Sequence, residues 1–212
     1  MYPKDLDIEI IYQDDELVVV NKPSMLLSVP GRCRHKQDSL VTRLAREFSE
    51  ILTVHRLDWE TSGLSVFARN KAVHRHLSIQ FQNRQVSKNY IAEVYGVPDQ
   101  KQGEINLPLR CDWENRPKQI VDFTQGKDSQ TYWQLLCHTD LCSRLLLTPV
   151  TGRSHQLRVH LQSINLPILG DTLYAPAYAV QIAERLMLHA NRLAFTHPIQ
   201  NKPLEFFSDP PF

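Results

Sequence analysis

Stretches with helical periodicity and stretches with strand alternation follow one another along this chain in no regular β-α-β rhythm. That irregularity does most to narrow the folds open to it. Leu17-Val18-Val19-Val20 reads as a short apolar strand, led in by Asp14-Asp15-Glu16 and stopped by Asn21-Lys22-Pro23. Ser39 can cap a helix in which Leu40, Val41, Leu44, Ala45 and Phe48 share a face, and Asn70 a second in which Val73, Leu77 and Phe81 recur every four residues. Tyr90, Ala92 and Val94 alternate with Ile91, Glu93 and Tyr95 as a strand would. Tyr132 to Leu136 and Arg144 to Leu147 read as two more strands with Thr139-Asp140 in the turn. Ser154 is placed to cap a third helix with Leu157, Leu161 and Ile164 on one side. Interspersed helices and strands of this kind predict an α+β fold rather than a doubly wound sheet.

At 212 residues the chain suits one catalytic domain with a sizeable core. Its 13 prolines run from Pro3 to Pro211 without gathering into a linker, and no repeat or low-complexity tract stands out. No apolar run approaches the length of a bilayer span, and Met1-Tyr2-Pro3-Lys4-Asp5 lacks the basic-then-apolar pattern of a signal peptide, so a cytosolic protein without membrane partners is expected. Cys33, Cys111, Cys137 and Cys142 form no Cys-x-x-Cys pair, which predicts reduced thiols and no zinc site.

A net charge of +1 gives almost no global sign of a nucleic-acid partner. The distribution says more. Residues 1–16 set Asp5, Asp7, Glu9, Asp14, Asp15 and Glu16 against Lys4 alone. Arg69, Lys71, Arg75, Arg84 and Lys88 have no acid among residues 69–90, and Arg32, Arg34, Lys36, Arg43 and Arg46 face only Asp38. Such runs are usually solvated helix faces. They are also what phosphate neutralisation requires.

The stretch richest in chemistry is His55-Arg56-Leu57-Asp58-Trp59-Glu60-Thr61-Ser62-Gly63, directly before the apolar Leu64-Ser65-Val66-Phe67-Ala68. A lone Asp beside small hydroxyl residues and Gly is ordinarily a turn former. Here the whole string, completed by Leu64, resembles the catalytic motif of the RluA family of pseudouridine synthases. Leu17 to Pro23 is similar to that family's first motif, Ser87-Lys88-Asn89-Tyr90 to its Lys-x-Tyr segment, and Gly152-Arg153-Ser154-His155-Gln156-Leu157-Arg158-Val159-His160 to its third, all in family order. Leu26 to Arg32 and Cys111 to Gln119 are similar to the branch of the family that acts on both 23S rRNA and tRNA.

The resemblance implies a single catalytic domain with a mixed, largely antiparallel bent β-sheet, flanking helices and a central catalytic cleft. Members often carry a small S4-type RNA-binding domain ahead of it. The first motif begins here at Leu17, so no such domain is expected and RNA affinity falls to the catalytic domain. The implied reaction breaks the uridine C1′–N1 bond, turns the freed uracil and joins C5 to C1′. It consumes nothing, so no cofactor or metal is expected. Asp58 is the carboxylate such chemistry needs beside the sugar. Attack at C1′, addition at C6 and removal of the 2′ proton all remain open to it.

Family analogy sets Arg158 against Asp58, where a fixed cation would keep the carboxylate charged in a dry pocket. Arg153, just before the helix, is the alternative partner or a phosphate ligand. Tyr90 would supply a flat face and a hydroxyl to a flipped pyrimidine. By resemblance Arg56 fills the gap that an extruded uridine leaves, while Lys22 and Lys88 are phosphate or structural contacts and Arg32 belongs to the RNA-facing surface. The implied partners are stem-loops of 23S rRNA and tRNA, bound by a monomer. A retaining glycosidase using Asp58 and Glu60 is a weaker reading, since two carboxylates two residues apart leave the basic regions unexplained. A non-catalytic RNA-binding protein of the same fold is a second. The complete Asp58, Tyr90 and Arg158 set speaks against it.

Overall fold

A computed structural model describes residues 8–212. The Met1 to Asp5 segment and the acids Asp5 and Asp7 considered above lie outside the described residues. In chain order the first elements are β1 (Glu9–Gln13), β2 (Leu17–Lys22), α1 (Leu40–Leu44), β3 (Leu52–Thr53), β4 (Ser62–Ala68), α2 (Lys71–Gln82) and β5 (Ser87–Tyr95). There follow β6 (Gln102–Asn106), β7 (Leu109–Cys111), β8 (Gln119–Val121), β9 (Gln130–His138), β10 (Cys142–Pro149), α3 (Gln156–Ser163), α4 (Ala177–Gln181), β11 (Leu188–Thr196) and β12 (Pro203–Phe207). Strands and short helices are interspersed and the described strand ladders are antiparallel, giving the α+β class expected. No described helix is long and apolar enough to cross a membrane. The chain divides into two compact units, one ending at Lys88 and completed by Ala190–Pro211, the other Asn89–His189 with Phe212.

In the first unit β2 pairs with β4 from Leu17↔Ala68 to Lys22↔Gly63, and β1 flanks β2. Both central strands are buried on both faces, which is why Leu17 to Val20 reads as an unbroken apolar run and Leu64 to Ala68 as one interrupted only by Ser65. Alternation sorts their side chains. Leu17, Val19, Leu64 and Val66 pack on Val73 and Leu77 of α2, while Val18, Val20 and Phe67 pack on Leu40 and Leu44 of α1. Each such side chain contributes roughly 1.5–3 kcal/mol on burial.

Both predicted caps of this unit form. Ser39 Oγ accepts from Thr42 N within a capping box, and Asn70 Oδ1 accepts from Val73 N at 2.9 Å. Helix α1 stops at Leu44, short of the Phe48 expected from the pattern, because Arg46 and Glu47 donate to carbonyls three residues back and tighten the last turn. Phe48 still reaches the same cluster. The acidic run also has a structural member. Asp14 accepts from Glu16 N and Leu17 N at 2.8 Å, from the Tyr12 hydroxyl at 2.6 Å and from His197 Nε2 at 2.9 Å. Burial pushes its carboxyl up, but these donors outweigh burial and hold it below the usual range.

In the second unit β10 lies between β5 and β9, with β6 outside β9. Every other residue of β10 is buried, so Leu145 and Leu147 join Ala92, Val94, Trp133, Leu157 and Leu161 in its core. The β9–β10 turn falls at Thr139-Asp140, as the sequence suggests, with Thr139 N bonding to Cys142 O at 2.8 Å. A separate two-stranded ribbon, β7–β8, pairs Leu109↔Val121 to Cys111↔Gln119.

Helix α3 is buried continuously from Gln156 to Leu161, so three polar side chains enter the core. Ser154 does not cap it. His155 occupies the N-cap at φ 52 without a side-chain bond, and Gln156 secures the turn, its Oε1 accepting from Arg153 N at 3.0 Å and the Thr151 hydroxyl at 2.7 Å. Its amide then donates to Gln130 O and the Thr131 hydroxyl, both at 3.0 Å. One helical turn on, His160 bonds the Thr131 and Ser129 hydroxyls. The helix is thereby fastened to the start of β9 by side chains, with its buried polar atoms satisfied.

Candidate active site

Asp58 sits in an irregular segment between β3 and β4 whose backbone is held by the loop after β2. The Ser28 hydroxyl accepts from Leu57 N at 3.1 Å and donates to Leu57 O at 2.7 Å. Ser24 Oγ donates to Glu60 O at 2.6 Å, and Thr61 N closes a turn on Asp58 O at 3.2 Å. Leu57 is buried while Arg56 is exposed and Asp58 half-buried, so the arginine and the carboxylate flank an anchored side chain. Gly63 follows at φ 114, where a Cβ would sit on the backbone N and O of Ala190.

Lys22, grouped by sequence with the RNA contacts, belongs to this scaffold. It is fully buried, and its ammonium donates to Pro23 O and Leu26 O at 2.8 Å and to Trp59 O at 3.3 Å. The phosphate role expected as one option for it is replaced by the structural one, because its buried ammonium is taken up by carbonyls of the loop after β2 and of the Asp58 loop. Beside Asp58, Trp59 is 40% exposed and Thr61 is buried with its hydroxyl lacking a partner among the described residues.

His55, first residue of the motif, has a structural role too. Val66 N–H donates to its Nε2 at 3.1 Å and its ring stacks on Phe81 at 4.7 Å. An imidazole that accepts at Nε2 is neutral with its proton on Nδ1. Burial, seconded by the Lys88 ammonium, pushes its pKa from 6.5 to about 3. Lys88 is itself lowered by burial. Since the unfolded chain takes up this proton and the folded one resists it, the His55 contribution is complete above pH 6.5 and is lost as pH falls towards 3. Urea midpoints are therefore expected to drop between pH 7 and 4. His55→Gln, which keeps an acceptor but cannot charge, should flatten that slope in part, His160 being lowered by burial in the same sense.

Tyr90 lies on β5 opposite Leu147 and packs, half-buried, against the core of the second unit. Arg158 sits on the side of α3 away from Gln156 and His160. Its Nε and Nη2 bond the two oxygens of Asp171 at 2.8 and 2.6 Å, with the two side chains only 2% and 1% exposed. Asp171 also accepts from Leu173 N and Tyr174 N, and the Tyr174 ring lies 5.3 Å from the guanidinium. The Tyr174 oxygen takes Gln119 N–H at 2.8 Å and pairs with His155 Nδ1 at 2.7 Å. Asp171 and Tyr174 escape a motif search, since neither adjoins the Gln-Leu-Arg stretch they serve.

Arg153 is exposed, its Nε donating to Asp128 O at 3.1 Å. Arg32 is exposed with Arg34, Lys36 and Arg46, whereas Arg43 is doubly bonded to Asp38. In the other basic region Lys71, Arg75 and Arg84 face solvent, while Arg69 bonds the Asp14 carbonyl and lies over Phe48. Among the described residues no three His, Cys, Asp or Glu side chains are placed to hold a metal ion.

Residues 16–163 match a family model described as RNA pseudouridylate synthase. A Vibrio cholerae protein named dual-specificity RNA pseudouridine synthase RluA is 52% identical over 196 residues, 92% of this chain and 80% of that protein. The protein of that name from Escherichia coli K12 is 47% identical over 205 residues, 96% of this chain and 94% of its own. Among solved structures, human RNA pseudouridylate synthase domain containing 1 aligns with a TM-score of 0.82 at 30% identity, covering 97% of this chain and 84% of that one.

Proposed function

The chain belongs to the RluA family of RNA pseudouridine synthases, isomerases that convert uridine to pseudouridine in RNA, and on that basis we propose that it modifies stem-loops of both 23S rRNA and tRNA. The dual target is the one named for relatives that align over most of its length. Loop uridines suit such an enzyme, because RNA is read most readily where bases splay out and a loop base costs least to flip.

In this reading Asp58 is the carboxylate at the glycosidic bond, Tyr90 the surface on which the flipped uracil rests, and Arg158 the arginine that completes the catalytic set. Arg56 takes the space the uridine leaves, and Arg32, Arg153 and Lys88 contact phosphates. The observation that carries the reading is the Asp58 loop, whose carbonyls at Leu57, Trp59 and Glu60 are each held by a side chain from the first family motif or just after it. A carboxylate that must meet a flipped nucleotide in one geometry needs such a preorganised base. The enzyme works as a monomer in the cytosol, where these RNAs are found, and light scattering of the pure protein tests the first point.

Two synthetic stem-loops, one from 23S rRNA and one a tRNA anticodon arm, test the substrate. Pseudouridine is expected in both, and modification of only one would remove the dual specificity. Tyr90 is tested by separating ring from hydroxyl. Stacking is worth roughly 1–3 kcal/mol per base, so Tyr90→Phe should keep far more single-turnover activity than Tyr90→Leu. Equal rates for the two would argue against a stacking role.

A further inference from the structure

Trp113 stands 66% exposed at the tip of the β7–β8 ribbon, and the Arg116 guanidinium lies 3.8 Å from its ring centroid. An indole left in water contributes nothing to a core, yet this one is held in a defined setting. Asp112 N bonds Lys118 O at 2.9 Å, Lys118 N bonds Asn115 O at 3.0 Å, and the Asp112 carboxylate accepts from the Asn115 amide at 2.9 Å. Those bonds close the tip into a turn. At the ribbon's base Arg110 is taken by Asp122 at 2.5 Å, whereas among the described residues Arg116 has no carboxylate partner and rests on the ring alone.

We propose that this ribbon tip is an RNA-contact site separate from the residues assigned above, in which an unpaired base stacks on the open face of Trp113 and Arg116 engages a neighbouring phosphate. The site rests on the RNA-directed reading of the protein. A planar indole already covered on one side by a planar cation offers a single face of the size of a base, and aromatic stacking tolerates any base. Asp112, Glu114, Arg116 and Lys118 leave the tip with no net charge. Attraction therefore comes from the stack and one guanidinium rather than from a broad field, which suits a loop nucleotide better than a duplex backbone.

The ribbon is also fastened where it needs to be. Gln119 N–H, at the start of β8, donates to the same Tyr174 oxygen that pairs with His155, and the Tyr174 ring lies by Arg158. A base held at Trp113 is thus registered, within one unit, to the helix that carries Arg158. Family motifs alone do not disclose this link, because Tyr174 lies 55 residues from Gln119.

The test uses the full chain and a stem-loop substrate with unpaired nucleotides on both sides of the target uridine. Trp113→Ala is expected to raise KM about tenfold with kcat within a factor of two, in line with the value of one base–aromatic stack. Trp113→Phe should restore most of the affinity. Arg116→Ala should raise KM and lower the salt dependence of binding by about one phosphate contact. An unchanged KM for Trp113→Ala, or a fall in kcat at constant KM, would overturn the site. Absence of pseudouridine with the unaltered protein would instead overturn the RNA-directed reading on which it rests, and the site with it.

Discussion

Asp58→Asn is expected to bind a stem-loop RNA with the affinity of the unaltered protein and to form no measurable pseudouridine. The amide has the size and shape of the carboxylate, and the loop around it is held through backbone carbonyls and the buried Leu57, none of which the substitution touches. What it removes is the charge and the nucleophile, a loss of about 10³-fold or more in single-turnover rate when one member of a catalytic set is deleted. Filter binding and a chromatographic assay of nucleosides separate the two effects. Turnover within tenfold of normal would take Asp58 out of the chemistry.

The second large effect is on stability. Asp171→Ala strands the Arg158 guanidinium in a core where both partners are almost wholly buried, and breaking such a pair by removing one side typically costs about 3–5 kcal/mol. The mutant also loses the acceptor for the Leu173 and Tyr174 amides. Urea unfolding should record the drop. Adding Arg158→Met to Asp171→Ala should recover much of it, because the uncompensated charge is then gone, while activity should stay low if Arg158 serves Asp58. A stability for Asp171→Ala equal to that of the native chain would contradict the observed geometry.

What could be read from sequence depended on how local the causes were. The caps at Ser39 and Asn70 formed as predicted, because a hydroxyl or amide three residues from its backbone target needs no distant partner. Ser154 looked equally suitable, but Gln156 reaches back to Arg153 and Thr151 and holds the turn instead. Strands β2 and β10 announced themselves by apolar runs and alternation. Strand β11 did not, since Leu188, His189 and Ala190 are buried one after another and break the period.

The motif pointed to Asp58 but not to what supports it. Lys22, read from sequence as a phosphate or structural contact, is buried because Pro23, Leu26 and Trp59 present carbonyls to it. Asp171 lies 13 residues beyond Arg158, with no periodic or motif signal linking them. Part of each basic region's apparent meaning was also conditional. Arg43 and Arg69 are engaged within the protein, and only their neighbours are left for phosphates.

The protein replaces the C1′–N1 bond of a uridine in RNA by a bond to C5, and that step displaces the hydrogen at C5. Stem-loop RNA labelled with tritium at C5 of uridine, incubated with the purified chain, should therefore release tritium to water in an amount equal to the pseudouridine formed, and Asp58→Asn should release none. RNA that is bound by the protein but keeps all its label would contradict the account.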